Sequence, residues 1–434
     1  ETREIRLYGM GKDDQFHLSG KAKKSILVRI IGGKGEDVVT DESQVRGGKK
    51  TVVYDKPGSL EFEGQEVLDM TSDDLKVNDY SRLEYKYDTY FPMVSFGRTE
   101  DDGLFLGGGV TLDFYGFRKE PYGVRHRISG DFSTRTNAFH VSYEADFTKA
   151  FDWLNFNPSI SFDRPIIFNF YGYGNGSKDP EELSDRFHWV RLEKLSVRPL
   201  LKRNWYNGRN FTRLGPFYEK IEVENRPGRI TDTELFPSQD LGGKHFLGFL
   251  LSHEYNSLDH QQLPKNGLKW GVGATFYNDL DTRKSYVRLE GSLTTFVTLA
   301  APLEITFGAR FGAATLTSDN FLFYHSNNLG GNTYLRGFHN NRFAGRSIVF
   351  HNTDLRIRLF RVKNQIVPFI FGISGGFDYG RVWHDEAADP KFWHSGISPG
   401  VWFSAFNIGA ISGFYTFTNG DEEDTYTVRL GFFF

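Results

Sequence analysis

The chain has no cysteine, so no disulfide holds it together and no thiolate ligates a metal. That absence is compatible with a cell-envelope location and does not require one. No apolar run approaches the ~18–20 residues that a membrane-spanning helix needs. Mean hydropathy is −0.45, far too polar for a helical membrane protein. The leucine- and alanine-rich amphipathic helices of a soluble enzyme of 434 residues are also missing. No phosphate-binding glycine loop, zinc-ligand spacing or nucleophile elbow occurs, so nothing here predicts an enzyme. A net charge of −3 points to no nucleic-acid partner. No signal peptide is visible. Because Glu1–Tyr8 reads as a strand already under way, Glu1 is expected to begin a fragment rather than a processed end.

What is abundant is phenylalanine (42), tyrosine (21) and glycine (47), spread through short alternating runs. The end of the chain is the clearest case. In 424–434, Tyr426, Val428, Leu430, Phe432 and Phe434 share one face, and Thr425, Thr427, Arg429 and Gly431 the other. A period of two ending on three phenylalanines predicts a barrel-closing strand with its apolar face in lipid. Runs of this kind recur from about residue 91. They predict an all-β fold, a transmembrane antiparallel barrel of roughly 16 strands, an even number as such barrels require. Long polar connections at 175–186, 225–243, 317–346 and 384–394 alternate with short ones at 149–152, 361–364 and 406–407. Long loops are expected outside and short turns in the periplasm. His384 and His394, in one long connection, are expected to be exposed.

Face assignment gives the barrel a polar interior. In 351–359, Leu355, Ile357 and Leu359 face one way, and Asn352, Asp354, Arg356 and Arg358 the other. One arginine at the bilayer midplane costs ~2–4 kcal/mol, so the charged face must line a lumen.

The connection before that strand reads Leu329-Gly330-Gly331-Asn332-Thr333-Tyr334-Leu335-Arg336-Gly337-Phe338. With Asn352, Asp354 and Arg356, then Phe377-Asp378-Tyr379-Gly380, and the terminal aromatic, it forms an ordered set over the last ~110 residues. This set resembles the outer-membrane insertases and polypeptide transporters of the BamA, TamA and two-partner-secretion type, the bacterial surface antigen barrels, in the style of Bacteroidota. The resemblance implies that Arg336-Gly337-Phe338 sits at a loop tip folded back into the barrel. On its own chemistry, Arg336 in a lumen wants carboxylate partners, and alternation offers Asp354 and Asp378. Gly337 allows a sharp turn, and Phe338 packs inside.

Residues 1–80 differ from 81–434 and predict a small β-rich domain on the periplasmic side, the tail of a larger N-terminal region. Their best helical stretch, 66–77, is short, and the β-α-α-β-β pattern of POTRA modules is missing. Gly32-Gly33-Lys34-Gly35-Glu36-Asp37-Val38-Val39-Thr40 matches a calcium-binding β-roll repeat, with Tyr8–Asp14 a poor second copy. Two readings stand: a calcium site on Gly33, Gly35, Asp37 and Asp41, or a plain Gly-Asp turn. For the whole chain, the resemblance implies envelope-protein assembly or translocation through a seam between first and last strands, with outer-membrane lipid and other envelope proteins as partners. The alternative is a barrel that anchors a periplasmic or surface domain, such as a phosphoesterase encoded upstream of Glu1. Any catalytic domain would then lie outside this chain.

Overall fold

The computed structural model describes residues 2, 4–47, 51–64, 67–82, 85–99, 103–151, 153–177, 184, 186–205, 208–234, 236–300, 302–384, 391, 393–406, 409–419 and 425–434. Positions 100–102, in the first hairpin, and most of 384–394 lie outside the described residues. The chain divides into two compact units, Glu1–Asp88 with Tyr115–Arg118, and Thr89–Phe114 with Lys119–Phe434.

The first unit is built from β1 (Glu4–Tyr8), β2 (Gln15–Leu18), β3 (Lys21–Ala22), β4 (Leu27–Ile31), β5 (Asp37–Asp41), β6 (Gln44–Val45), β7 (Thr51–Tyr54), β8 (Leu60–Glu63) and β9 (Val67–Asp69). All pairings are parallel: β1-β4-β7-β9, β2-β5-β8 and β3-β6. Each coil of chain therefore lies on the next, as in a β-solenoid. The β-branched residues of successive coils point inward, and Ile30 and Val53 of one sheet pack with Val39 of another in a fully buried cluster. Of the short, best helical stretch at 66–77, the structure keeps a single 3-10 turn, Leu75–Val77, after β9. The β-pairing of Val67 and Leu68 with Thr51 and Val52 overrides a weak helical preference.

The second unit contains β10 (Thr89–Thr99), β11 (Gly103–Phe114), β12 (Val124–Ser133), β13 (Phe139–Phe151), β14 (Leu154–Asn169), β15 (Trp189–Trp205), β16 (Asn210–Glu224), β17 (Gly242–Asn256), β18 (Gly267–Asp279), β19 (Ser285–Leu299), β20 (Glu304–Leu316), β21 (Asn327–Leu329), α1 (Gly331–Tyr334), β22 (Phe343–Gly345), β23 (Ser347–Val362), β24 (Phe369–Trp383), β25 (His394–Ala405), β26 (Ile411–Thr418) and β27 (Thr425–Leu430). All but β21, β22 and α1 join one 16-stranded antiparallel meander, from β10 to β27. The strand count expected from the sequence is met. β21 and β22 pair with each other inside the long connection between β20 and β23.

The wall is inside-out relative to a soluble protein. Along β24, Ser374, Gly376, Asp378 and Gly380 are buried, while Ile373 and Phe377 are exposed. Phe249, Phe307, Val401 and Phe417 continue the apolar outer face on other strands. This is the face that lipid covers.

The last strand departs from expectation. Tyr426, Val428 and Leu430 do face outward, at 74%, 68% and 65% exposure. Phe432 and Phe434 do not continue that face. The strand stops at Leu430, and Gly431 takes φ +91°. Only glycine adopts that conformation without strain, and it turns the chain off the wall. Phe432 and Phe433 are buried, and Phe434 packs against Phe296 of β19. The period of two read through a glycine that ends it.

Loop alternation gives a direct test of orientation. In a chain with no native cysteine, a single cysteine at the exposed Asn225 should react with an impermeant thiol reagent on intact cells. Cysteines at Lys149 or Lys363 should react only after the membrane is breached. Outside labelling at Lys363 would reverse the topology.

Candidate functional site

The long connection between β20 and β23 lies inside the barrel. Leu329, Leu335, Phe338 and Phe343 pack with Ile348, Phe350 and Val382 from the inner faces of β23 and β24. Phe338 lies against Phe343 and against the ring of His394. His394, expected to be exposed, is buried instead; its ring stacks 3.6 Å from that of Phe343, and its Nε2 lies 3.0 Å from the Asn175 carbonyl. The long loop reaches that ring because it folds inward.

At the tip, Arg336 is buried and fully engaged. Its Nε and one terminal nitrogen donate to the two oxygens of Asp378, at 2.5 and 2.7 Å, a bidentate fork. The other terminal nitrogen donates to Asp354 at 2.7 Å. The main-chain N–H of Arg336 adds a bond to Asp378, and Thr353 accepts another from the guanidinium. The sequence offered Asp354 or Asp378; the structure places the arginine between both, each at most 1% exposed. Asn352 binds Asp378 at 2.9 Å and the Tyr334 carbonyl at 2.8 Å, tying strand to loop. Gly337 has φ +87°, and a Cβ there would meet the methyls of Thr416 and Thr418 at 2.6 Å.

Two parts of this site escaped the sequence reading. Gly376, opposite Asp354 in the β23–β24 register, lies under the guanidinium; a Cβ there would overlap it. A glycine on an inward-facing position of a strand was the available signal. The second part is the chain's last residues. The Phe433 ring lies 4.4 Å from the Arg336 guanidinium, and the Phe432 ring 3.7 Å from that of Arg356. Arg356 also donates to the Phe434 carbonyl at 3.2 Å and to Asp354 at 3.4 Å. Aromatic faces attract guanidinium groups by about 0.5–2 kcal/mol each, more when dry. Nothing in the arrangement is a nucleophile–base pair. It is a lock that holds a loop and the chain end in one place.

In the first unit, the calcium ligands expected from the sequence are not all brought together. Gly33 and Gly35 have φ +102° and +156° and sit in the turn before Asp37. Asp41 ends the same strand, about 13 Å farther on at ~3.3 Å per residue. Its oxygens are taken by Ser43 and Thr51, at 2.5 to 3.0 Å. Burial pushes its carboxyl up, but these bonds outweigh that and leave it below the usual range. Asp41 is a structural acceptor.

A membrane-facing antiparallel wall with a buried arginine lock in its lumen defines a class of outer-membrane barrel. The Omp85 superfamily domain matches residues 121–434, and the chain belongs to that superfamily. Among solved structures, BamA from Haemophilus ducreyi lacking POTRA domains 1-3 is similar, with TM-score 0.57 and 14% identity, over 79% of this chain and 70% of that one. CdiB from Escherichia coli is similar at TM-score 0.51 and 14% identity, over 84% of this chain and 64% of that one. None of the curated proteins matches. At these identities the structures speak for the fold alone. The superfamily and fold place the protein in the bacterial outer membrane.

Arg336→Ala takes from the buried Asp378 its bidentate cation and leaves Asp354 only the longer contact to Arg356 at 3.4 Å, and should destabilise the barrel by about 3–5 kcal/mol. Arg346→Ala, in the same connection, removes a half-exposed bridge to Asp319 at 3.5 Å and should cost at most about 1 kcal/mol. Thermal unfolding of the purified barrel in detergent ranks the two, and equal melting temperatures would remove the lock.

Glycine substitutions test the same geometry from the wall. Gly376→Ala pushes into the guanidinium, whereas a Cβ at the adjacent Gly375 meets nothing within 4 Å. Gly376→Ala should cost about 1–3 kcal/mol and Gly375→Ala much less, with little added loss when Gly376→Ala is combined with Arg336→Ala.

Proposed function

We propose that this protein inserts or translocates other envelope proteins, using the wall between β27 and β10 as its seam. The carrying observation is the hydrogen-bond ladder. It runs unbroken from β10 through β27, yet among the described residues no pairing joins β27 back to β10. The two edges also differ in length: β10 has 11 residues and β27 only six. Gly431 removes the remainder of the last strand from the wall. Among the described residues the outer edge of β10 has no strand partner, so its N–H and C=O groups are open to one. An open edge templates an incoming strand. Client strands could be received there, with outer-membrane lipid on one side and the lumen on the other. In this reading the first unit is periplasmic, and the chain itself does no covalent chemistry.

One observation favours a second reading. The first unit is a parallel β-solenoid, with no pair of helices among its described residues. A solenoid can serve as a spacer, so the barrel could instead anchor a periplasmic or surface domain, such as a phosphoesterase encoded upstream of Glu1.

The absence of native cysteine makes a clean test. Cysteine pairs scanned along Tyr90–Phe96 and Tyr426–Leu430 can lock the seam by oxidation. A locked seam should abolish client assembly in reconstituted membranes, with recovery on reduction. An anchor would tolerate the lock, and full activity in the locked state would defeat the seam proposal.

A further inference from the structure

The strongest unexplained feature lies in the first unit, at one corner of the solenoid. Parallel pairing sets Tyr8 beside Ile31 and Ile31 beside Tyr54, so Gly9, Gly32 and Asp55 follow in register. Pairing of Gln15 with Val38 puts Asp14 over Asp37 in the same way. The segment 9–14, which reads as a poor repeat in sequence, is therefore stacked directly on 32–37. The loops touch closely. A Cβ on Gly33 would meet the Met10 carbonyl at 2.8 Å, and one on Gly35 would overlap the Lys12 carbonyl. Main-chain oxygens thus crowd the space between the two turns.

Carboxylates point into the same corner. The side chains of both Asp37 and Asp55 approach the place a Gly32 Cβ would occupy, and that of Asp14 approaches the place of a Gly9 Cβ. Asp37 and Asp55 are 1% and 0% exposed. One oxygen of each is satisfied: Asp37 accepts from the Asp14 N–H at 2.8 Å, and Asp55 from the Lys56 N–H at 2.7 Å. The Oδ2 atoms of Asp14, Asp37 and Asp55 are buried without a hydrogen-bond donor. Buried carboxylate oxygens facing one another need a counter-charge. Burial, and then the Asp37 charge, push the Asp55 carboxyl up to about 6.

We propose that this corner binds calcium between the stacked turns, through Asp37 and Asp55, with Asp14 and main-chain carbonyls completing the shell. Among the described residues no three acidic or imidazole side chains are placed to hold a metal by themselves. The carbonyls are therefore essential, and a mixed set of hard oxygens suits calcium better than the strict octahedron of magnesium. The repeat pattern and the stacking agree with this assignment. The rival is a proton shared between Asp37 and Asp55.

The two differ in a measurable way. In the full-length protein in detergent, terbium should give saturable luminescence sensitised by the nearby Tyr8 and Tyr54. Calcium should displace it with an apparent Kd of roughly 10⁻⁴–10⁻³ M, and equimolar magnesium should not. Asp37→Asn should weaken terbium binding at least tenfold, while Glu42→Gln, exposed just beyond the far end of β5, should not. Calcium should also slow proteolysis within 1–80 of the wild-type chain, an effect that needs no variant. If the corner only shares a proton, terbium does not saturate, calcium gives no protection, and Asp55→Asn is more stable than wild type at neutral pH with or without calcium. That result overturns the proposal.

Discussion

The barrel interior is organised around one buried cation. Arg336 has come out of water, and each polar hydrogen it carries into the lumen must be received there. Asp378 receives two from the side chain and one from the main chain, Asp354 one and the Thr353 carbonyl one. These acceptors sit on adjacent wall strands, so the arginine fixes the long connection against the wall at a single register. Gly337 must turn there, and Gly376 must lack a side chain there. Leu335 and Phe338, its neighbours in the chain, then fall into the apolar cluster under β23 and β24. Such a charge network is weak evidence for net stability, because desolvation offsets much of the attraction. Its stronger effect is to select one arrangement of a loop that would otherwise have many.

The chain's last residues depend on the same charges. A terminal aromatic that continued the strand would lie in lipid, gaining ordinary apolar burial. Here the rings of Phe432 and Phe433 gain that burial inside, and they gain the faces of Arg356 and Arg336 as well. The network thus has two outputs. It fixes the loop, and it holds in the lumen the residues after β27 that Gly431 has turned off the wall.

The wall was legible in the sequence because a strand's period is two and the membrane enforces it on every strand. Leu355, Ile357 and Leu359 against Asn352, Asp354 and Arg356 is unambiguous. Arg336 with Asp354 and Asp378 was legible for the same reason, once the motif was seen in order. What escaped depends on contacts that periodicity does not encode. Phe432 continues the alternation of Leu430, and only the left-handed conformation of Gly431 breaks it. His394 looked like a loop residue because the loop that covers it lies in another part of the chain. Asp55 has no glycine repeat around it, yet parallel stacking carries it beside Asp37. Register between coils, not local pattern, made that pair.

The lumen's occupation bears on how a client would cross. A route down the axis requires Arg336 to leave two carboxylates, and Leu335 and Phe338 to leave a packed cluster. Separating one buried charge from its partners alone costs about 3–5 kcal/mol. A route through the wall between β10 and β27 breaks, among the described residues, no ladder bonds at all. An incoming strand would instead satisfy backbone groups already left open, each costly to leave unpaired in hydrocarbon. On the proposed function, the lock that holds this loop in the lumen would make the lateral route the lower in energy. In that reading, the more firmly Arg336 holds its loop, the more the passage of a client depends on the edge strands.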